Sequence, residues 1–128
     1  MIDSDGASDA LDGAAAQDFK KNLLKATNET IFSLLGQGAL ESLGKILKER
    51  YSVTPDEWPD HLDLIIRILE SCLGPKATQT VGRAIAKAFY FRLNIEFTIN
   101  SDMSLIDYVE RAKLKKRQDT DLRSDEEQ

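Results

Sequence analysis

The stretch LGQGALESLGK, residues 35–45, places three glycines and a lysine close together, and the first chemistry it suggests is phosphate binding. A phosphate loop of the G-x-x-x-x-G-K-[ST] kind sets backbone N–H groups and a lysine around the phosphates and a hydroxyl on Mg²⁺. Here five residues separate Gly38 from Gly44, Ile46 stands where the hydroxyl is needed, and Glu41 would turn a like charge on the phosphate. Glu41 also occupies the position where G-x-G-x-x-G would place its third glycine. His61 is the only histidine, and Asp56, Glu57, Asp60 and Asp63 surround it. A general base needs an orienting partner and a nucleophile within reach, and none is spelled out nearby. The spacing instead predicts an exposed residue at a helix start, with a His61–carboxylate metal set as the weaker reading. Cys72 falls on an apolar stripe, which predicts a small buried hydrophobe. Asp3-Ser4-Asp5-Gly6 opens like a calcium loop but lacks the third acidic ligand and the closing glutamate. No catalytic, cofactor-binding or metal-ligating residue follows from these patterns, and enzymatic activity is not expected.

Cationic residues offer a second chemistry. Lys76, Arg83 and Lys87 share a helical face with Tyr90, and RAKLKKR brings Lys115, Lys116 and Arg117 together. These six cations are the candidate contacts for nucleic acid. Yet residues 1–18 carry a charge of −5 and residues 118–128 a charge of −4, against +4 for residues 19–117. Such a balance gives weak attraction to a polyphosphate, so nucleic acid is the alternative rather than the leading expectation.

The chain of 128 residues suits one domain, and 41% hydrophobic residues suffice for one modest core. Both ends are acidic and poor in large apolar residues. They read as disordered tails, 1–18 and 118–128, around a helical domain at 19–117. They serve solubility, or, in a sharper reading, fold back to screen the basic body. A single cysteine excludes an internal disulfide and suits a reducing, cytoplasmic setting. The acidic N-terminus lacks the basic start of a secretory leader, and no apolar run approaches the roughly 20 residues of a membrane helix.

The elements that would carry these residues follow from periodicity. A short segment near 18–26 shows Phe19, Leu23 and Leu24 at helical spacing. A second helix starts near Asn28 as N-cap, with Ile31, Leu35, Ala39, Leu43, Ile46 and Leu47 on one side. Thr54-Pro55-Asp56-Glu57 is a capping box with Pro at the first helical position, and Val53 and Trp58 have hydrophobic-staple spacing. Pro59 separates that first turn from a helix over 60–73, apolar on more than one face and expected to be the central one. Gly74-Pro75 breaks the chain before a helix reaching Leu93, with Ala77, Val81, Ile85, Ala88 and Phe89 inward. In FRLNIEFTI the period changes to two, with Phe91, Leu93, Ile95, Phe97 and Ile99 alternating with polar residues. Asn94 as a left-handed cap then leaves 95–99 extended, able to form a minimal ladder with 51–53; the alternative is one helix to Phe97. A last helix starts at Ser101 or Ser104, with Asp107 three residues after Ser104. The fold class is all-α, a single-domain bundle of about five helices.

Small residues make the remaining pattern. Ser33, Gly36, Ala39 and Ser42 recur every third residue, and Gly82 with Ala86 makes a matching pair on a later helix. Such ridges let backbones approach closely, so these six residues are candidates for helix packing within the bundle or across a homodimer, with a local kink at the glycines as the third option. The segments IFSLLGQGALESLGKIL, LESCLGPKA, FYFRLNIEF and SLIDYVERAK resemble a small archaeal helical family, the Nitrosopumilus-type signal-output domain, formerly a domain of unknown function. That resemblance spans about residues 29–115. It implies a regulatory or output role and brings no catalytic residue. Together these readings anticipate a protein that acts by binding a protein partner or itself, without cofactor and away from the membrane.

Overall fold

A computed structural model describes the backbone of residues 13–127 and the side chains of residues 13–117. Helix α1 spans Gly13–Leu35, α2 Gln37–Tyr51, a 3-10 helix Pro55–His61, α3 Leu62–Leu73, α4 Pro75–Leu93 and α5 Leu105–Glu127. The described residues hold five α-helices and no strand: the fold is an all-α bundle in one domain.

The helix boundaries differ from the expected ones in an instructive way. Asn28 caps nothing; α1 runs straight through it. The Thr27 hydroxyl donates to the Leu23 carbonyl at 2.8 Å, so a buried polar residue is satisfied without breaking the helix. The real break is Gly36, at φ 95° and ψ 168°. Its N–H donates to the Phe32 carbonyl at 2.9 Å and its own carbonyl accepts from Leu40 at 3.2 Å, so one residue both closes α1 and opens α2. Gly74 repeats the device between α3 and α4, at φ 88° and ψ 164°. The expected tails also carry helix. Helix α1 begins inside 1–18 and α5 continues through 118–127, while residues 1–12 and 128 lie outside the described residues.

The 3-10 helix starts as its sequence spells. The Glu57 carboxylate accepts from the Thr54 N–H at 2.9 Å, and the Thr54 hydroxyl donates to Asp56 at 2.7 Å. Val53 and Trp58 are both buried, as a staple requires. Pro59 stays within this 3-10 helix, and α3 begins after His61.

The core joins Phe19, Leu23, Ala26 and Ile31 of α1 to Leu43 and Leu47 of α2, Ile65 of α3 and Val81, Ile85 and Phe89 of α4. The central helix is α4, which touches α1, α3 and α5; α3 was expected in that place. The reason lies in residue size. Gly82 and Ala86 are buried on α4, and a Cβ at Gly82 would lie 3.5 Å from the Leu105 Cβ. That gap lets α5 sit close on one side while Phe89 fills the other. Helix α3 instead lifts its last turn into solvent, leaving Cys72 and Leu73 exposed.

Helix α4 ends where expected. Asn94 is left-handed at φ 59° and ψ 40°. The Ile95 N–H donates to the Tyr90 carbonyl and the Asn94 N–H to the Phe91 carbonyl, a Schellman closure. The expected ladder of 51–53 with 95–99 is absent among the described residues. Tyr51 is the last residue of α2, and the Ser52 and Val53 N–H groups close that helix on Lys48 and Leu47, so this backbone has no donors left for a ladder. Helix α5 opens with a reciprocal box: Ser104 N–H to the Asp107 carboxylate at 3.1 Å, and Asp107 N–H to the Ser104 hydroxyl at 3.2 Å.

Candidate interaction surface

The residues first suspected of chemistry are scattered. Gly36 is a corner, Gly38 has open space around it, and a Cβ at Gly44 would lie 3.6 Å from the Trp58 ring. His61 is half-buried at the junction of the 3-10 helix and α3. Cys72 is exposed rather than buried. No group of three or more His, Cys, Asp and Glu side chains that could hold a metal occurs among the described residues. None of their helices is long and apolar enough to cross a membrane.

The small-residue ridge does not survive the Gly36 corner. Ser33 belongs to α1, Ala39 and Ser42 to α2, and a three-residue repeat places side chains on one face only within one helix. Ser33 and Ser42 are exposed, Gly36 and Ala39 half-buried, and nothing lies within 4 Å of a Cβ built at Gly36. Gly82 and Ala86 do support a close approach, but it is made by α5.

The candidate cations fall into two groups. Lys76, Arg83 and Lys87 lie along α4, the first and last exposed and Arg83 half-buried. Lys115 is exposed on α5, where Lys116 and Arg117 are half-buried. They border three different clefts: Lys87 one beside α1, Arg83 one beside the loop before α5, and Lys115 one beside residues 96–100.

Among the described residues the most exposed large apolar side chain is Phe91, at 83%. It stands at the end of an outward stripe on α4 made of Ala77, Thr80, Ala84 and Ala88, at steps of three and four residues. Ala77 is exposed and Ala88 half-buried, although periodicity turned both inward. Ala84, Ala88 and Phe91 line an open groove with Lys87, Arg92 and Glu29 on its rim. Arg92 and Glu29 pair at 2.7 Å across the α1–α4 seam. Helix α4 carries four cations and no acid; on the groove's rim Arg92 is paired with Glu29, and Lys87 has no acid partner among the described residues. Single exposed apolar residues are ordinary, but this phenylalanine stands beside an alanine-floored groove.

On the other side of α4 an aromatic cluster anchors the loop to α5. The Tyr90 ring lies 5.4 Å from Phe97 and 6.0 Å from Tyr108, both edge-on. The Tyr90 hydroxyl donates to the Tyr108 carbonyl at 2.6 Å. The Tyr108 hydroxyl accepts from the Asn100 N–H at 2.7 Å and donates to the Asn100 carbonyl at 3.1 Å. Periodicity reaches part of this network: the apolar stripe of the last helix, Leu105, Ile106, Tyr108, Val109 and Ala112, turns Tyr108 inward, as it is, and the alternation around Phe97 hints at an inward face, but Tyr90 was grouped with the cations. Burial raises the Tyr90 pKa above its ordinary value, and Tyr108 adds to this while the Arg111 charge opposes it. The folded state therefore holds the phenolic proton more tightly than the unfolded chain does. The stabilisation is complete below the ordinary tyrosine pKa of about 10 and is lost as the pH rises through the raised value. Urea melts between pH 8 and 11 are expected to show falling stability above about pH 10. In Tyr90→Phe most of that slope should vanish, at a cost of about 1 kcal/mol at neutral pH for the lost hydrogen bond.

Comparison with protein-family models, with curated proteins and with solved structures finds no match to this chain.

Proposed function

We propose that this chain is a non-enzymatic, cytoplasmic interaction domain whose α4 face binds an acidic, apolar helix of a partner protein. The observation that carries the reading is Phe91, exposed at 83% beside the Ala84–Ala88 floor and bordered by Lys87 and Arg92. An alanine floor admits a partner backbone closely, phenylalanine supplies an anchor, and the cationic border selects acids. A regulatory or signal-output setting is the role implied by the likeness of FYFRLNIEF and SLIDYVERAK to the archaeal output domain. A homodimer through the same face is disfavoured, because it would set the α4 cations of one copy against those of the other. Nucleic acid is the second reading, favoured by the four cations of α4 itself.

A photo-crosslinking residue at position 91, introduced in the native host, tests the proposal. Adducts to an acidic peptide, identified by mass spectrometry, are expected at 91 and not at exposed Glu49 on α2. Lys87→Glu should abolish them, and Phe91→Ser in the otherwise native chain should lose the same partner while its melting temperature stays within about 2 °C, as exposed sites contribute little to stability. Adducts only to a second copy, or only to nucleic acid, would overturn the reading. Gel shifts at two salt concentrations separate the nucleic-acid case independently.

A further inference from the structure

The loop between α4 and α5 combines three features that belong to strand-pairing sites. Its residues alternate as a strand does: Ile95 and Phe97 are half-buried against the core, while Glu96 and Thr98 face solvent. Its residue types, Ile-Glu-Phe-Thr-Ile, favour strand pairing. Its backbone is unpaired. Ile95 is bonded to Tyr90 and Asn100 to Tyr108, but among the described residues no hydrogen bond reaches the N–H or C=O of Glu96, Phe97, Thr98 or Ile99. Four successive residues therefore present open donors and acceptors, and Ile99 stands 67% exposed at their end. An open edge of this kind is a template for an incoming strand.

What the incoming strand carries is set by the cleft beside it. A cavity of about 260 Å³ lies between residues 96–100 and α5, with Tyr90 and Tyr108 at its base. Arg111 and Lys115 line its α5 side, one helical turn apart, against the single acid Glu96. Arg111 has only a long contact to the Met103 sulfur at 3.6 Å, and no acid side chain pairs with Lys115 among the described residues. The excess of positive charge points to an anionic side chain on the visitor.

We propose that residues 96–99 accept an extended acidic peptide by strand addition, with a carboxylate of that peptide held between Arg111 and Lys115. Backbone pairing supplies affinity and the cation pair supplies selection for acid. This surface is separate from the Phe91 groove and stands or falls without it.

The test uses the whole chain, ¹⁵N-labelled, and an acetylated, amidated Thr-Glu-Val-Glu-Val-Thr peptide, with a second peptide bearing Lys in place of both Glu. Binding is expected to move the amide signals of residues 96–99 and to slow hydrogen exchange at two or more of them at least threefold. The Lys peptide should bind at least tenfold more weakly. Lys115→Glu should weaken the acidic peptide at least tenfold. Thr98→Pro, at an exposed position, should abolish the exchange protection, with a thermal melt confirming that the chain still folds. Phe91→Ser should leave all of this unchanged. No shift at 5 mM peptide, shifts along α4 instead, or equal binding of the two peptides would overturn the proposal. So would concentration-dependent pairing of the segment with a second copy in the absence of peptide, or preferential binding of an oligothymidylate at this cleft.

Discussion

Replacing Phe89 by alanine is expected to lower the stability of the folded state by about 3–5 kcal/mol, the cost typical of deleting a wholly enclosed aromatic ring. Phe89 is 0% exposed, and its ring meets Phe19 of α1 edge-on at a centroid separation of 5.0 Å. It also meets Tyr90 at 6.5 Å, so one side chain ties α1 to the aromatic cluster behind α4. Little of the core can collapse into the space, because Leu23 and Ile31 on α1, Ile65 on α3 and Ile85 on α4 are themselves fully enclosed. A domain of this size has a total stability of about 5–15 kcal/mol, so the variant should unfold at a much lower urea concentration or lack a cooperative transition. A loss under about 1 kcal/mol would mean that the α1–α4 contact is not the centre of the core.

The second large effect is expected at the corners. Gly36 and Gly74 both adopt φ near 90° with ψ near 165°, a region that residues with a Cβ seldom enter. Gly36→Ala should cost about 1–3 kcal/mol from backbone strain alone. Space is not the cause, since nothing lies within 4 Å of the added carbon. Gly38→Ala, two residues later inside α2 and equally uncrowded, is the matched control and should be neutral or stabilising by up to about 1 kcal/mol. Urea midpoints for the two variants should therefore move in opposite directions, or one should move and the other stay. Equal midpoints would remove the account of the corner.

Much of this architecture is legible in the amino-acid sequence where a local group decides it. Thr54 with Glu57, Ser104 with Asp107 and Asn94 each act within three or four residues, and each does in the fold what its neighbours dictate. Three errors came from elsewhere. Asn28 has the chemistry of a cap, but burial of Thr27 and Thr30 against the core holds α1 together across it. Gly36 looked like one of several small residues on a helix, and nothing local distinguishes a glycine that turns the chain from Gly38, which does not. Ala77 and Ala88 have no size or polarity to say which way they face, so the choice between α3 and α4 as the central helix was made by Gly82 and its fit to Leu105. Of the candidate surfaces, the strand-like alternation after Asn94 was visible at once. Its missing partner was not, because the absence of a ladder is a property of the whole fold.

The staple residue Trp58 has an optical consequence. It is the only tryptophan in the chain, it is 3% exposed, and its indole N–H has no hydrogen-bond partner among the described residues. Its ring lies against Gly44 of α2 and lines neither of the two proposed surfaces. An excited indole in such a dry site emits at short wavelength and shifts to the red on meeting water. Each molecule thus carries one indole fluorophore, excitable apart from the three tyrosines, that responds to the seating of the 3-10 helix on the bundle.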